Sequence, residues 1–198
     1  MKILMISPSY GLKIGGAESQ LKKLYKELKN KSIQIFSKKS SKCSDFFYPY
    51  NFYFKTLIYI LKKNIKIIHI HTFSSPAWVV ALFNFFLKRK VIIKITLSGY
   101  GSRLEGIKGN FLLRIIFNFI FKSKNIYFVA INQNIKKTLI KFGIKKKNIF
   151  NISNGVEVSM RRPFCKKKNI DIIYFGRLIK RKNILKKLNI MNKKKLYQ

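Results

Sequence analysis

The sequence predicts an α/β fold, in which a Rossmann-like, doubly wound parallel sheet is followed by an incomplete second domain. Short runs rich in β-branched residues are typical of buried strands, and segments with helical periodicity separate most of them. Strands that alternate with helices along a chain form parallel sheets covered by helices. The 198 residues, 47% of them hydrophobic, are enough to bury one good core and part of another.

Seven predicted strands follow one another along the chain. They cover residues 2–7, 32–36, 66–71, 91–97, 126–131, 148–152 and 170–175. Two of the helical segments between them carry their apolar residues on one face. These residues are Ala17, Leu21, Leu24, Tyr25 and Leu28 in the first segment, and Leu112, Ile115, Ile116 and Phe119 in the second. Ligands of such sheets bind outside the carboxyl ends of the strands, so functional residues are expected there.

The regular pattern breaks between residues 154 and 168. Asn154-Gly155 favours a turn, an Arg-Arg-Pro run opposes regular structure, and three consecutive lysines favour a solvated segment. We assign residues 1–153 to the first domain, 154–169 to a crossing and 170–198 to the start of a second domain. A lone strand and helix cannot bury both faces of the strand. We therefore expect residues 170–191 to be detached or loosely packed.

The charge of the chain is strongly one-sided. Forty-three basic residues stand against six acidic ones, which gives a net charge of +37 and favours anionic partners. Only seven of the basic residues are arginine, and lysine is accompanied by many isoleucines and asparagines. The charge therefore reflects either a binding surface or an overall compositional bias. No RNA-binding or helix-turn-helix signature is present, so nucleic acid is not expected as a partner.

The cysteines and the apolar stretches indicate the compartment in which the protein is expected to work. Cys43 and Cys165 lie far apart without further ligands nearby, which argues against structural zinc and favours a reducing compartment. The apolar stretches 78–87 and 111–121 are shorter than the roughly 20 residues of a membrane-spanning helix. The first apolar run ends at Pro8, too early for a signal peptide. We expect a cytoplasmic protein, peripheral on the inner face of a membrane if it contacts one.

Gly15 and Gly16 follow the first predicted strand, and Ala17 and Glu18 open the next helix. Backbone N–H groups at a helix N-terminus attract phosphate, and glycine allows the ligand to approach closely. Ala17 stands where a P-loop has lysine, and the Rossmann GxGxxG spacing is not met. The segment is therefore either a phosphate-binding turn or an ordinary tight turn with Glu18 at the positive end of the helix.

His69 and His71 end the third predicted strand on the same face, because they are two residues apart. Zinc generally requires three or four ligands, and no third one is near in sequence, so no metal site is expected. The aspartates are also too far apart for a DxD-type site. The histidines serve either as a base or hydrogen-bond partner for a substrate hydroxyl, or as structural groups satisfied by their neighbours.

Two further strand ends carry groups suited to anions. The strand 91–97 continues into Ser98-Gly99-Tyr100-Gly101-Ser102, which suits a ligand oxygen or phosphate and equally an ordinary turn. After the strand 170–175, Arg177 and Lys182 lie five residues apart across a turn. A guanidinium fork and an ammonium there suit a diphosphate, and a merely basic loop is the alternative.

Six segments, taken together and in order, resemble the GT-B glycosyltransferases of family 4, also called "group 1". They are MKILMIS…GGAES, IIHIHTFSSPAWVVAL, VIIKITLSGYGS, VAINQNIKKTLIKFGI, NIFNISNGVE and IIYFGRLIKRKN. The resemblance covers nearly the whole chain and implies two Rossmann-like domains that face each other across a cleft. It implies an acceptor-side N-terminal domain, a C-terminal domain that binds a nucleotide-sugar, and no metal or other cofactor.

The resemblance also implies roles for individual residues. The donor diphosphate is bound by Gly16, Arg177 and Lys182. The catalytic residues near the acceptor hydroxyl are His71 and Ser98. The acceptor side of the site holds Gly15, Thr96 and Gly99. Asn154 and Gly155 form the entry to the crossing between the domains.

The chain departs from the family pattern at three points. Asn183 stands where the family has glycine, Thr96 and Ser98 stand where it commonly has histidine, and the paired glutamates of the second domain have no counterpart. We expect the chain to be a truncated glycosyltransferase that transfers no sugar by itself, unless another chain supplies the missing part of the second domain. The acceptor would be a cell-envelope polysaccharide or glycolipid. A non-catalytic remnant that binds acceptor or membrane is the alternative.

Two stretches mix aromatic residues with lysine or arginine at helical spacing, as interfacial helices do. They cover residues 52–61 and 111–122. One or the other is expected to favour an anionic membrane surface. The alternative is that both helices face the core of the sheet.

Overall fold

The computed structural model describes residues 2–7, 16–28, 33–37, 48–97 and 102–155, with side chains from residue 51 onward in the fourth segment. The chain divides into two compact units, Met1–Gly155 and Val156–Gln198. The second unit lies outside the described residues, together with the predicted strand 170–175 and the βα unit 170–191. The fold that follows is that of the first unit.

Six parallel strands form one sheet, as the sequence predicts. The strands are β1 (Ile3–Ile6), β2 (Ile33–Phe36), β3 (Ile67–Ile70), β4 (Lys90–Ile95), β5 (Ile126–Ala130) and β6 (Ile149–Asn151). Their order across the sheet is β2-β1-β3-β4-β5-β6. Each of the first six predicted strands is present and is shorter than predicted by one or two residues, and β4 begins one residue earlier than predicted.

Helices connect the strands. They are α1 (Gly16–Leu28), α2 (Tyr48–Lys62), α3 (Ser75–Leu87), α4 (Arg103–Lys108), α5 (Phe111–Phe121) and α6 (Gln133–Lys141), with a 3₁₀ turn at Lys146–Asn148. The prediction of an α/β, Rossmann-like sheet is therefore confirmed. None of the helices described is long and apolar enough to cross a bilayer.

The strand order contains one reversal, between β1 and β3. The chain passes from β1 outward to β2 and then returns across β1 to β3, after which every strand is added on the far side. In open parallel sheets, the connections diverge at such a reversal and leave a crevice at the carboxyl ends of the two strands. The ends of β1 and β3 are aligned, because Ile6 lies opposite Ile70.

The sheet buries its two faces against different helices. Alternate strand residues such as Ile6, Ile70 and Ile93 point into the main core, to which α2 through α6 contribute. Four fully buried phenylalanines fill that core, namely Phe52, Phe117, Phe121 and Phe128. On the other face, Leu21 of α1 packs with Met5 and Ile33. This division follows from the period of two along a strand.

Helix α5 forms where the sequence predicts an apolar stripe, but the stripe faces outward. Leu112, Ile115, Ile116 and Phe119 are 65%, 49%, 38% and 75% exposed, whereas Phe117 and Phe121 are fully buried. The helix is apolar on both sides. The side that faces the core is the one whose larger rings pack against α3. Trp78 of α3 packs edge-on against Phe121, with ring centroids 5.0 Å apart.

Two other predicted apolar faces are only partly buried. In α1, Leu21 is buried, while Leu24, Tyr25 and Leu28 are between 37% and 44% exposed. Leu21 packs with Met5 of β1 and Ile33 of β2. In α2, the residues Phe52, Thr56 and Ile60 point inward at a spacing of four, and Phe54 and Leu61 remain exposed.

Asparagine and serine side chains fix where several helices begin. Asn110 Oδ1 accepts a hydrogen bond from the Leu113 N–H at 3.0 Å, and Asn132 Oδ1 accepts one from the Ile135 N–H at 2.9 Å. Ser102 Oγ accepts from the Glu105 N–H at 3.2 Å. Such caps satisfy N–H groups that have no partner within the helix. They set the starts of α5, α6 and α4 at the carboxyl edge of the sheet.

Candidate functional site

His71 stands at the crevice between β1 and β3. Its backbone N–H donates to the Ile6 carbonyl oxygen at 3.1 Å, which fixes the residue immediately beyond the end of β3. The side chain is only 1% exposed. Because Ile70 lies opposite Ile93 in β4, the next pair along the two strands is His71 and Lys94.

Three further groups surround the His71 imidazole. The His69 ring meets it edge-on, with centroids 5.8 Å apart. The first turn of α1 lies alongside, so that the Ala17 backbone and the Glu18 carboxylate both act on His71. Lys94 approaches from β4, and its Nζ donates to Gln20 Oε1 of α1 at 3.3 Å. The start of α1, the end of β3 and the middle of β4 therefore meet at one place.

The electrostatics of this cluster keep both imidazoles neutral. Burial, followed by the positive charge of Lys94, lowers the pKa of His71 to about 4, although the Ala17 backbone and Glu18 act in the opposite direction. Burial, then His71 and Lys94, lower the pKa of His69 to about 4 as well. Burial also lowers the pKa of the Lys94 amine. At neutral pH, each imidazole can accept one hydrogen bond and donate another.

The two ring nitrogens of His71 are buried and, among the described residues, have no hydrogen-bond partner. The Ala17 backbone is near the ring but does not reach it in hydrogen-bonding geometry. A buried polar group without a partner costs about 1–3 kcal/mol. A ligand hydroxyl or carbonyl that reached His71 would remove that cost, so the imidazole is suited to binding an oxygen of a substrate.

A cavity of about 250 Å³ lies at the carboxyl edge, lined by residues that follow β3 and β4. Thr72, immediately after His71, and Thr96, at the end of β4, contribute hydroxyl groups to its wall. Arg103 at the start of α4 lies at the same cavity, and its Nη1 donates to Ser75 Oγ at 3.2 Å. The cavity therefore offers hydroxyls and one guanidinium to a polar ligand.

The structure places three of the eight residues that the sequence assigns to a site. His71 and the helix that starts at Gly16 are neighbours, and Thr96 lines the cavity at the carboxyl edge. A Cβ atom at Gly16 would meet no described atom within 4 Å. The other five lie outside the described residues: Gly15, Ser98, Gly99, Arg177 and Lys182. Their roles stay predictions.

Sequence reasoning missed Lys94 and Arg103. A signal for Lys94 was available, because it is a cation inside the otherwise apolar strand Val-Ile-Ile-Lys-Ile. Such a residue is rarely buried unless its amine has a partner or a function. Arg103 had no comparable signal in a chain so rich in cations. Within the described ranges, no three His, Cys, Asp or Glu side chains are grouped to hold a metal.

Comparison with known proteins supports the fold. No protein-family model and no curated protein matches the sequence. Among solved structures, the chain is similar to HepE from Anabaena in complex with UDP-glucose, with a TM-score of 0.52 and 17% identity over 79% of this chain and 44% of HepE. The HepE complex with UDP gives a TM-score of 0.51 at 16% identity, with coverages of 79% and 45%.

The likeness to HepE shows the architecture alone, since the identity is low. The chain spans less than half of the length of HepE. HepE has also been captured with UDP and glucose, and that complex gives a TM-score of 0.52. Six parallel strands with helices on both faces are thus shared with a protein that binds a nucleotide-sugar.

Proposed function

We propose that this chain forms the acceptor-side part of a nucleotide-sugar-dependent glycosyltransferase. The observation that carries the proposal is the position of His71. The imidazole is neutral, buried and without a described hydrogen-bond partner, and it lies at the strand-order reversal beside the start of α1. A sheet of this type binds ligands at that point, and a helix N-terminus favours the phosphates of a nucleotide-sugar.

In the proposed reaction, an acceptor hydroxyl oxygen forms a bond to the anomeric carbon of the donor sugar. The bond from that carbon to the diphosphate oxygen breaks, and the nucleoside diphosphate leaves with the bonding electrons. The hydroxyl proton passes to the departing diphosphate or to solvent. His71 binds the acceptor hydroxyl, and the N–H groups at Gly16 and Ala17 face the diphosphate. Holding the reactants in this geometry is the main contribution of such a site.

Two lines of support lie outside the site itself. The six segments that resemble family 4 glycosyltransferases occur in the family order, and the described fold is similar to HepE, which binds UDP-glucose. On the resemblance, Arg177 and Lys182 bind the diphosphate from the donor side, and Ser98 and Thr96 lie near the acceptor. The proposed acceptor is a cell-envelope polysaccharide or glycolipid, and the proposed reaction uses no metal.

Proton NMR of the two histidines tests this proposal directly, because the chain contains no others. UDP, UDP-glucose, other nucleotide-sugars and a panel of oligosaccharides are added in turn to the full chain. We expect at least one nucleotide-sugar and one oligosaccharide to shift the His71 ring resonances. His71→Gln should weaken oligosaccharide binding about tenfold, the size of one lost hydrogen bond to a buried site. Lys137→Gln on α6 is the control variant.

The pattern of responses separates the proposal from its alternative. If neither nucleotide-sugars nor oligosaccharides shift His71, the proposed site is wrong. If oligosaccharides shift it while every nucleotide and nucleotide-sugar leaves it unchanged, the chain is a carbohydrate-binding remnant. A parallel assay for nucleoside diphosphate release, with a cell-envelope lipid extract as acceptor source, reports whether the 198 residues turn over.

A further inference from the structure

Helices α3 and α5 lie side by side on the sheet and are apolar on the side that faces away from it. Phe85, Phe86, Phe111 and Phe119 are between 69% and 80% exposed. Surface helices are normally polar on the outward side, and helices that are apolar all round are covered by protein or lipid. Apolar patches of this kind mark contact sites for proteins or membranes.

The carboxyl-terminal ends of these two helices enclose an apolar groove of about 490 Å³. Phe85 and Phe86 of α3 line one side, and Phe119 of α5 lines the other. Lys122, which follows the last residue of α5, also lines the groove. The groove therefore combines an apolar wall with one lysine among its described lining residues.

A second cavity, of about 220 Å³, lies on the other side of Lys122 and is strongly basic. Its wall contains Lys122, Lys124, Lys145 and Lys147. The first two lysines precede β5 and the last two precede β6, so the pairing of these strands brings two distant segments together. Among the described residues, no carboxylate lies within 4 Å of these amines.

We infer that the groove and the basic cavity together bind an anionic phospholipid of a membrane, with its phosphate among the four lysines and an acyl chain between Phe85, Phe86 and Phe119. Lys122 lines both cavities, so the charged and apolar parts of the site meet at this residue. Lysines next to an exposed aromatic surface are the arrangement by which peripheral proteins bind anionic bilayers. A free phosphate or a nucleic acid would leave the groove empty and the phenylalanines exposed.

The lipid site is separate from the carboxyl-edge site. Lys122, Lys124, Lys145 and Lys147 precede their strands, which places them at the amino edge of the sheet, whereas His71 follows its strand. A membrane bound at the amino edge leaves the crevice at His71 open. Of the two stretches that the sequence offers, 111–122 carries the larger exposed aromatic face, since Phe111 and Phe119 are 80% and 75% exposed, whereas Phe54 is the one strongly exposed ring of 52–61. The inference does not depend on the sugar-transfer chemistry.

Vesicle co-sedimentation of the full chain tests the inference. The vesicles consist of phosphatidylcholine alone, or of phosphatidylcholine and phosphatidylglycerol in equal parts. Because a chain with a charge of +37 is attracted to any anionic surface, a variant with four lysines of the site changed to glutamine is compared with one of equal charge. The site variant changes Lys122, Lys124, Lys145 and Lys147. The control variant changes the exposed Lys22, Lys26, Lys62 and Lys63.

We expect the site variant to bind the anionic vesicles at least about tenfold more weakly than the control variant, since a lysine at an anionic surface contributes roughly fivefold. Phe85→Ser with Phe119→Ser should also weaken binding, whereas Phe54→Ser with Leu61→Ser on α2 should not. All substituted side chains are exposed, so each variant is expected to keep the wild-type circular dichroism spectrum.

Titration with soluble probes then identifies the ligand chemistry. Short-chain phosphatidylglycerol should protect the Phe119 region in hydrogen exchange, and inorganic phosphate or glycerophosphate alone should not. Equal losses for the two lysine variants, or equal binding of the lipid and the bare phosphates, would overturn the inference. So would self-association through the phenylalanines without vesicle binding, which would assign this surface to a second copy of the chain.

Discussion

The candidate ligand-binding groups are buried at the carboxyl edge of the sheet and exposed at the amino edge. At the carboxyl edge, His71 is buried, neutral and close to one partly buried lysine and the start of a helix. At the amino edge, four lysines are exposed, and phenylalanines project into solvent beside them. At the carboxyl edge, the buried His71 imidazole has no described hydrogen-bond partner, and this lowers the stability of the fold. The amino edge keeps its ligand-binding groups outside the core.

This difference shows where the net charge of the chain is relevant. A charge of +37 would suggest that the functional site is the most basic place on the protein. Among the described residues, the His71 cluster instead contains one cation, Lys94, whose pKa is lowered by burial and whose amine donates to Gln20 Oε1. Four lysines gather around one cavity at the amino edge, where we propose a phospholipid site.

The largest expected effect separates the inner and outer sides of α5. Phe117 is fully buried and its ring meets those of Phe73, Trp78, Phe121 and Phe142, so Phe117→Ala should lower the free energy of unfolding by about 3–5 kcal/mol. Phe119→Ala, two residues away and 75% exposed, should change it by less than about 0.5 kcal/mol. Urea denaturation measures both.

Phe117→Leu is used if the alanine variant fails to fold. Its free energy of unfolding should lie between those of Phe117→Ala and Phe119→Ala. If Phe119→Ala destabilised the protein as much as Phe117→Leu, the outer surface would be part of the folding core rather than a docking surface. That result would also weaken the case for a lipid site.

A smaller change in the free energy of unfolding, up to about 3 kcal/mol, is expected when the pH is lowered, because of His71 at the carboxyl edge. The unfolded chain protonates His71 near pH 6.5, and the native state does so only near pH 4. Between these values the unfolded state binds more protons, so stability falls as the pH falls from 6.5 to 4 and is fully regained above 6.5. His71→Gln should make this loss shallower, while His69 continues to contribute.

The measurement is the free energy of unfolding at several pH values for both proteins. Comparison at each pH removes the general repulsion of a highly positive chain, which the variant shares. Parallel curves for wild type and His71→Gln would mean that the imidazole is not kept neutral by its surroundings, contrary to the geometry of the site.

The smallest effect concerns the start of α5. Asn110→Ala removes the side chain that accepts from the Leu113 N–H, and should cost about 1 kcal/mol. Asn110→Asp keeps the acceptor and adds a negative charge at the positive end of the helix, so it should be neutral or stabilising. Thermal unfolding compares the three proteins. If Asn110→Asp lost as much stability as Asn110→Ala, the hydrogen bond of the helix cap would not be the cause of the loss.

The sequence by itself determined the elements and their general arrangement. β-branched runs and helical periodicity depend on neighbouring residues, and six of the predicted strands lie where the structure has them. Parallel pairing followed from the alternation of strands and helices. The position of His71 at the end of a strand, and hence at the edge where ligands bind, was also contained in the sequence.

Only the tertiary structure decided which residues meet. The apolar stripe of α5 faces outward because the helix is apolar on both sides, and its spacing cannot say which side the core will take. Lys94 comes beside His71 through strand pairing, and the lysines before β5 and β6 form one cavity for the same reason. Burial and long-range adjacency arise when distant segments pack together, so the neutral charge state of His71 could not be obtained from periodicity or local propensity.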